Sequence, residues 1–185
     1  MKKSIRIFLL LTICISSSNC TLGQKLDRDE LAKKIVLSLK QSDVNTLLKF
    51  VPSISEYENA IKIQRSYSKI KFKKSLNEEA KLMQIDEQKN ILGRYEDLKG
   101  EYCRGKKNPK WDTVEINKTI YETEKNTGNS YSAILVELID SNDNKKYYLE
   151  IEAVLTNKGW KIFDDIMIVE DNIEKRIKEK NIRGV

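Results

Sequence analysis

The sequence predicts an α+β fold, with N-terminal helices packed on a curved antiparallel sheet of about four strands. Two features carry that prediction. Apolar residues recur at helical spacing between residues 27 and 98, and after Gly105 the apolar period changes to two. The clearest strand signal is residues 145–165, KKYYLEIEAVLTNKGWKIFDD, which read as a hairpin closed by a tight turn at Thr156, Asn157, Lys158 and Gly159. Tyr147, Leu149, Ile151, Ala153 and Leu155 fall on one face, Glu150 and Glu152 fall on the other, and Asn157 and Gly159 supply the positive φ that such a turn needs.

In chain order, Asp27 or Asp29 caps a first helix in which Leu31, Ile35 and Leu39 form an apolar stripe widened by Ala32 and Val36. Asp43 caps a short second helix over residues 44–50, and Pro52 stops it. Ser53 with Glu56, and Ser55 with Glu58, both have capping-box spacing, so a third helix begins near Ile54 and runs toward Tyr67. Ser75 with Glu78 repeats the signature and opens the longest helical pattern, residues 76–98, with Gly100 as its stop. Residues 69–74 between these helices either extend one of them or cross in extended form, anchored by Ile70 and Phe72.

Gly105 and Pro109 mark a loop. Val114, Ile116 and Ile120 then alternate with polar residues, a strand whose apolar face Lys118 interrupts. A glycine-containing turn at residues 126–129 leads to a strand at residues 130–140 that is apolar on both faces, and such a strand is central in its sheet. Residues 141–144 turn the chain into the hairpin. Residues 166–169 prolong the last strand, and residues 170–180 read as a polar helix docking through Ile173 and Ile177.

The N-terminus reads as an export signal. Lys2, Lys3 and Arg6 precede an apolar run at residues 7–15, and no acidic residue occurs before Asp27. The apolar run is too short to span a membrane. The expected division is a signal segment at residues 1–23 and a single α+β domain at residues 24–185. Two processing routes stand open. A cut after Gly23 releases a soluble protein, and a cut before Cys20 leaves a lipidated thiol that tethers the domain. Ser17, Ser18 and Asn19 match a lipobox only in part.

Composition narrows the chemistry. Without Lys2, Lys3 and Arg6, 31 of the 34 basic residues remain against 28 acidic ones, a net of +3 and no argument for nucleic acid. The basic run at Lys69, Lys71, Lys73 and Lys74 reads as a solvated helix end or loop. Histidine is absent, which removes the commonest general base and metal ligand. Cys14 lies within the signal, Cys20 is lost or lipidated, and Cys103 is left without an intrachain partner. Residues 141–144 match a calcium loop in composition but not in spacing. No cofactor and no metal site is expected.

Two stretches, SLKQSDVNTLLKFV in the first helix pair and LEIEAVLTNKGWKIFDDI at the end, carry a resemblance. They resemble the cystatin-like cone of the nuclear transport factor 2-like superfamily, in particular its small exported bacterial members, in which a Gly followed by Trp begins the last strand, as Gly159 and Trp160 do here. The resemblance implies a cone whose apolar mouth holds ligands and, in the enzymes, a carboxylate raised in pKa by burial. The acid candidates are Glu150, Glu152, Asp164 and Asp165, and none is assigned a catalytic role. The ligand-binding candidates are Trp160, Tyr148, Glu150 and Glu152, with Trp111 and Tyr147 as further aromatics. Trp160 is expected to be largely buried against Leu31 and Ile35. The functional expectation is an exported, non-catalytic binding or accessory protein of the bacterial cell envelope, taking a small apolar ligand or a protein partner. The alternatives are a small isomerase- or cyclase-like enzyme with a carboxylate in the cone, or an inhibitor- or immunity-like protein-binding module.

The tether reading is tested by fractionating cells that express the unaltered chain or Cys20→Ala. Lipidation adds about 0.8 kcal/mol of membrane affinity per buried methylene, so membrane retention should vanish in the variant alone. Equal solubility of both forms ends the lipoprotein reading.

Overall fold

The computed structural model describes residues 25–67, 75–126 and 129–169. The expected signal segment with Cys20, the basic run at residues 69–74, part of the turn at residues 126–129 and the predicted helix at residues 170–180 lie outside them. Among the described residues four helices come first: α1 (Arg28–Lys40), α2 (Val44–Leu48), α3 (Ile54–Tyr67) and α4 (Leu76–Lys99). The predicted caps at Asp27, Asp43 and Ser75 are formed. The Asp27 carboxylate accepts from Glu30 N–H at 2.7 Å, and that of Asp43 accepts from Thr46 N–H at 3.0 Å. Ser53 N–H donates to Glu56 at 2.9 Å, so the first of the two overlapping boxes opens α3, and a reciprocal Ser75–Glu78 box opens α4. Among the described residues no helix is long and apolar enough to cross a membrane.

A four-stranded antiparallel sheet follows, ordered β3 (Val114–Asn126), β4 (Asn129–Asp140), β5 (Lys146–Thr156), β6 (Gly159–Val169). Leu138, Val136 and Ile134 of β4 face the same side as Leu149 and Ile151 of β5 and Ile162, Ile166 and Ile168 of β6. That side meets Leu31, Ile35 and Leu39 of α1, Leu47 of α2, and Ile91 and Leu98 of α4 in one fully buried core. The fold is thus α+β, with helices packed on an antiparallel sheet as expected.

Three local features depart from the sequence reading. The segment expected to be a loop contains a small hairpin, β1 (Tyr102–Cys103) with β2 (Lys106–Lys107), turned by Arg104 and Gly105, both at positive φ. Strands this short carry no periodicity. Beyond it, Trp111 is buried and donates from its indole N–H to the Leu98 carbonyl at 2.6 Å, closing the end of α4 rather than lining a pocket. Leu155, placed on the core face by alternation, is 41% exposed, because it lies at the hairpin end of the sheet beyond the helices.

Trp160 is half-buried at the rim of the core and not deep within it. It pairs with Leu155 at the hairpin end, so it stands over the first turn of α1, where the Arg28 guanidinium lies 5.3 Å from its ring centre and 4.2 Å from that of Tyr121. Tyr121 is pushed up to about 12 by burial, then by a hydrogen bond with Asp29 and that carboxylate's charge.

The outer edge of β6 is covered from Trp160 to Asp164. Trp160 N–H donates to the Leu26 carbonyl at 2.8 Å and Ile162 N–H to the Phe50 carbonyl at 2.9 Å. Asp164 N–H donates to Glu87 Oε1 at 2.7 Å, and the Asn90 amide donates to the Asp164 carbonyl. Gly159, at φ 110°, makes the first contact possible, since a Cβ there would stand 2.3 Å from Leu26 N. Gly159→Ala should therefore destabilise the protein by on the order of 3 kcal/mol in urea unfolding, combining backbone strain with displacement of the Leu26 segment. A change near zero would show that the Leu26 contact contributes nothing.

Candidate functional site

A cleft of about 500 Å³ lies between α3 and the closed end of the β5–β6 hairpin. Tyr57, Ala60 and Ile61 of α3, Met83 of α4, Tyr131 of β4, Val154 and Leu155 of β5 and Phe163 of β6 form its walls, with Pro52, Glu56 and Thr156 at one end. Helical spacing sets Tyr57, Ala60 and Ile61 on one side of α3. The sheet contributes from its other side: Tyr131 and Val154 are cross-strand partners that point away from the main core. Tyr131 and Phe163 stack with ring centres 5.6 Å apart, tilted by 53°. A second small core of Tyr57, Ile61 and Ala80, with Phe163 against it, supports the cleft.

Polar side chains also meet this lining: Glu56, Asn59, Lys62, Thr156 and Asn157, with the hydroxyl of Tyr57. Glu56 is 4% exposed and fully engaged, accepting from Ser53 N–H at 2.9 Å, Ser53 Oγ–H at 2.7 Å and Thr156 Oγ–H at 2.5 Å. Burial pushes its carboxyl up, but the Thr156 and Ser53 hydrogen bonds, with Lys161 nearby, outweigh that and hold it below the usual range. It is therefore an ionised structural clasp between the start of α3 and the hairpin turn. Tyr57 is buried and its hydroxyl has no hydrogen-bond partner among the described residues. Burial, and then the Glu87 and Glu56 charges, push its phenol far up, so it stays neutral.

A second cluster surrounds an irregularity in β6. Ile151 pairs with Ile166 and Ala153 with Ile162, so β6 carries extra residues between these pairs, and Asp164 there takes φ 76°. Asp165 is held by two arginines, with Arg94 Nε and Arg104 Nη2 each 2.7 Å from its carboxylate. Arg104 also reaches Met167 Sδ at 3.1 Å. Glu87 is pushed up by burial, with the Asp164 and Asp165 charges adding to the shift and the hydrogen bond from Asp164 N–H opposing it. Glu152 is likewise pushed up, first by burial and then by Asp164, Glu150 and Asp165.

The residues singled out from the sequence do not form one site. Trp160 sits at the hairpin end under Arg28, whereas Tyr148 sits at the opposite end, paired with Val169. Glu150 is buried between Leu135 and Met167, and Glu152 is half-buried on the same face. None of the four lines the cleft. Tyr147 is half-buried at the core margin, and Cys103 is a free thiol with no exposed surface. The Asp140 and Asp143 carboxylates accept turn N–H groups from Asn142 and Lys145, which accounts for the acidic turn. The cleft residues were visible only as a helix stripe, a helix cap and a hairpin turn. Nothing in their spacing announces that α3 and the hairpin end meet.

Comparison of the chain with protein-family models, with curated proteins and with solved structures found no match.

Glu152 generates a pH prediction. Its folded pKa is raised, so its contribution to stability is fully present below the unfolded value and is lost as pH rises through the folded one. Glu152→Gln should match the parent around pH 4 and exceed it at neutral pH by on the order of 0.5 kcal/mol, a figure reduced for solvent screening. Paired denaturant titrations at the two pH values test this, and a less stable variant at neutral pH contradicts it.

Proposed function

We propose that the protein is an exported, non-catalytic binding or accessory module of the bacterial cell envelope, and that it holds a small apolar ligand in the cleft between α3 and the β5–β6 hairpin. The observation that carries this reading is the chemistry of the cleft walls. They are mainly aromatic and aliphatic, alongside Asn59, Lys62 and Asn157, and the one carboxylate among the described lining residues is held ionised by three hydrogen bonds. An enzyme of the isomerase or cyclase kind needs a carboxylate poised to exchange a proton inside its pocket. The carboxyls raised in pKa, Glu152 and Glu87, stand outside the cleft lining. The export signal at residues 1–23 and the resemblance to small exported members of the nuclear transport factor 2-like superfamily support the envelope setting.

A protein partner is favoured by a different observation. α4 buries Ala80, Ile91 and Leu98, yet it presents Leu82, Ile85 and Leu92 outward, each more than a third exposed. Such a stripe suits an apolar helix face on another protein, as an inhibitor- or immunity-like module requires. The two surfaces are separable by mutation.

Ala60→Trp places an indole in the cleft without touching the main core. Binding of a neutral apolar fluorophore such as N-phenyl-1-naphthylamine should weaken by at least about tenfold, or ~1.4 kcal/mol, while the far-ultraviolet circular dichroism spectrum stays unchanged. Failure of the parent protein to bind such a probe, or equal binding by the variant, contradicts the small-ligand reading. Ile85→Asp should leave probe binding intact.

A further inference from the structure

The two outer strands of the sheet are treated differently. Backbone and side-chain groups from three other segments cover the β6 edge. On β3, among the described residues, hydrogen bonds reaching the strand backbone from outside the sheet end at Val114, whose carbonyl accepts from Lys40 Nζ at 2.9 Å. A long strand with an uncovered edge is a template for another strand. We propose that this edge pairs with the same edge of a second copy of the chain, in a two-fold antiparallel arrangement with Ile120 at the axis.

Charge selects the partner. β3 reads Lys118, Thr119, Ile120, Tyr121, Glu122, with Lys118, Ile120 and Glu122 on one face, opposite Glu137, Leu135 and Ala133 of β4. Antiparallel pairing about Ile120 sets Lys118 of each copy across from Glu122 of the other, so a single symmetric register makes two opposite-charge pairs. Lys118 is exposed and has no ion-pair partner within its own chain among the described residues. For an unrelated strand a lysine in mid-edge is a deterrent, whereas the two-fold copy supplies its counter-charge. The register shift between Ile116 and Lys118 limits the length of the pairing, because a bulged strand turns away from its neighbour at that point. The shared area is accordingly small and the dimer is weak.

Sedimentation equilibrium across the micromolar to millimolar range tests the proposal. The parent chain should dimerise reversibly and less tightly at high salt. Lys118→Glu and Glu122→Lys should each weaken association by about tenfold or more, since either reversal turns both symmetric pairs repulsive. An equimolar mixture of the two variants should associate as the parent does, because every cross-pair is again of opposite sign. Lys118 also faces Glu137 within its own chain, so Lys118→Gln, judged alongside a thermal melt, serves if Lys118→Glu is poorly folded. A parent that stays monomeric throughout, a dimer indifferent to both reversals, or a mixture no more associated than its components would overturn the proposal.

Discussion

An edge strand leaves a row of backbone donors and acceptors that must find partners, and satisfying that requirement on β6 organises the helical half of the molecule. Leu26 meets the strand at Gly159 and Trp160, the segment after α2 meets it at Ile162, and α4 meets it at Asp164 through Glu87 and Asn90. Three separate parts of the chain are thus placed along one line. The main core then fills the space between them, with Leu31, Ile35 and Leu39 above Leu149, Ile151 and Ile166. Burial supplies most of the stabilisation, at roughly 25 cal/mol per Å² of apolar surface, but it has no direction. The β6 hydrogen bonds supply direction.

The irregularity at Asp164 and Asp165 belongs to the same arrangement. A regular strand would alternate these residues between faces, and one carboxylate would enter the core. The extra residues in β6 and the positive φ at Asp164 instead leave Asp164 exposed beside Glu152 and turn Asp165 toward α4 and the β1–β2 hairpin, where Arg94 and Arg104 neutralise it. Asp165 is 7% exposed, and an unpaired carboxylate at that depth would be strongly unfavourable. The arrangement gathers Glu87, Glu152 and Asp164, and the raised carboxyls of Glu87 and Glu152 are the electrostatic consequence. This strain is structural in origin, since it lies outside the apolar cleft.

Glu56 shows how a helix cap becomes a tertiary clasp. As the third residue of a capping box it satisfies Ser53 N–H, which any helix of this sequence would ask of it. Its second oxygen accepts from Thr156, a hundred residues away, and so ties the start of α3 to the hairpin turn. The cleft exists because that clasp holds α3 beside the sheet end. Its shape therefore depends on the same hydrogen bonds that keep Glu56, the one carboxylate among its described lining residues, from acting as an acid or base.

Local rules made much of this legible in advance. The caps at Asp27, Asp43 and Ser75, the period of the stripe in α1, the two-sided apolarity of β4 and the turn ending in Gly159 depend on residues a few positions apart, and each formed as read. The β1–β2 hairpin and the irregularity in β6 escaped, because a two-residue strand has no period and an inserted pair only makes sense against its partner strand. Half-burial of Trp160, burial of Trp111 and Glu150, and the meeting of Tyr57, Tyr131 and Phe163 in one cleft were decided only when the elements packed. Sequence spacing determines which face of an element a side chain occupies. What lies across that face depends on contacts between residues distant in the chain, and no local period encodes them.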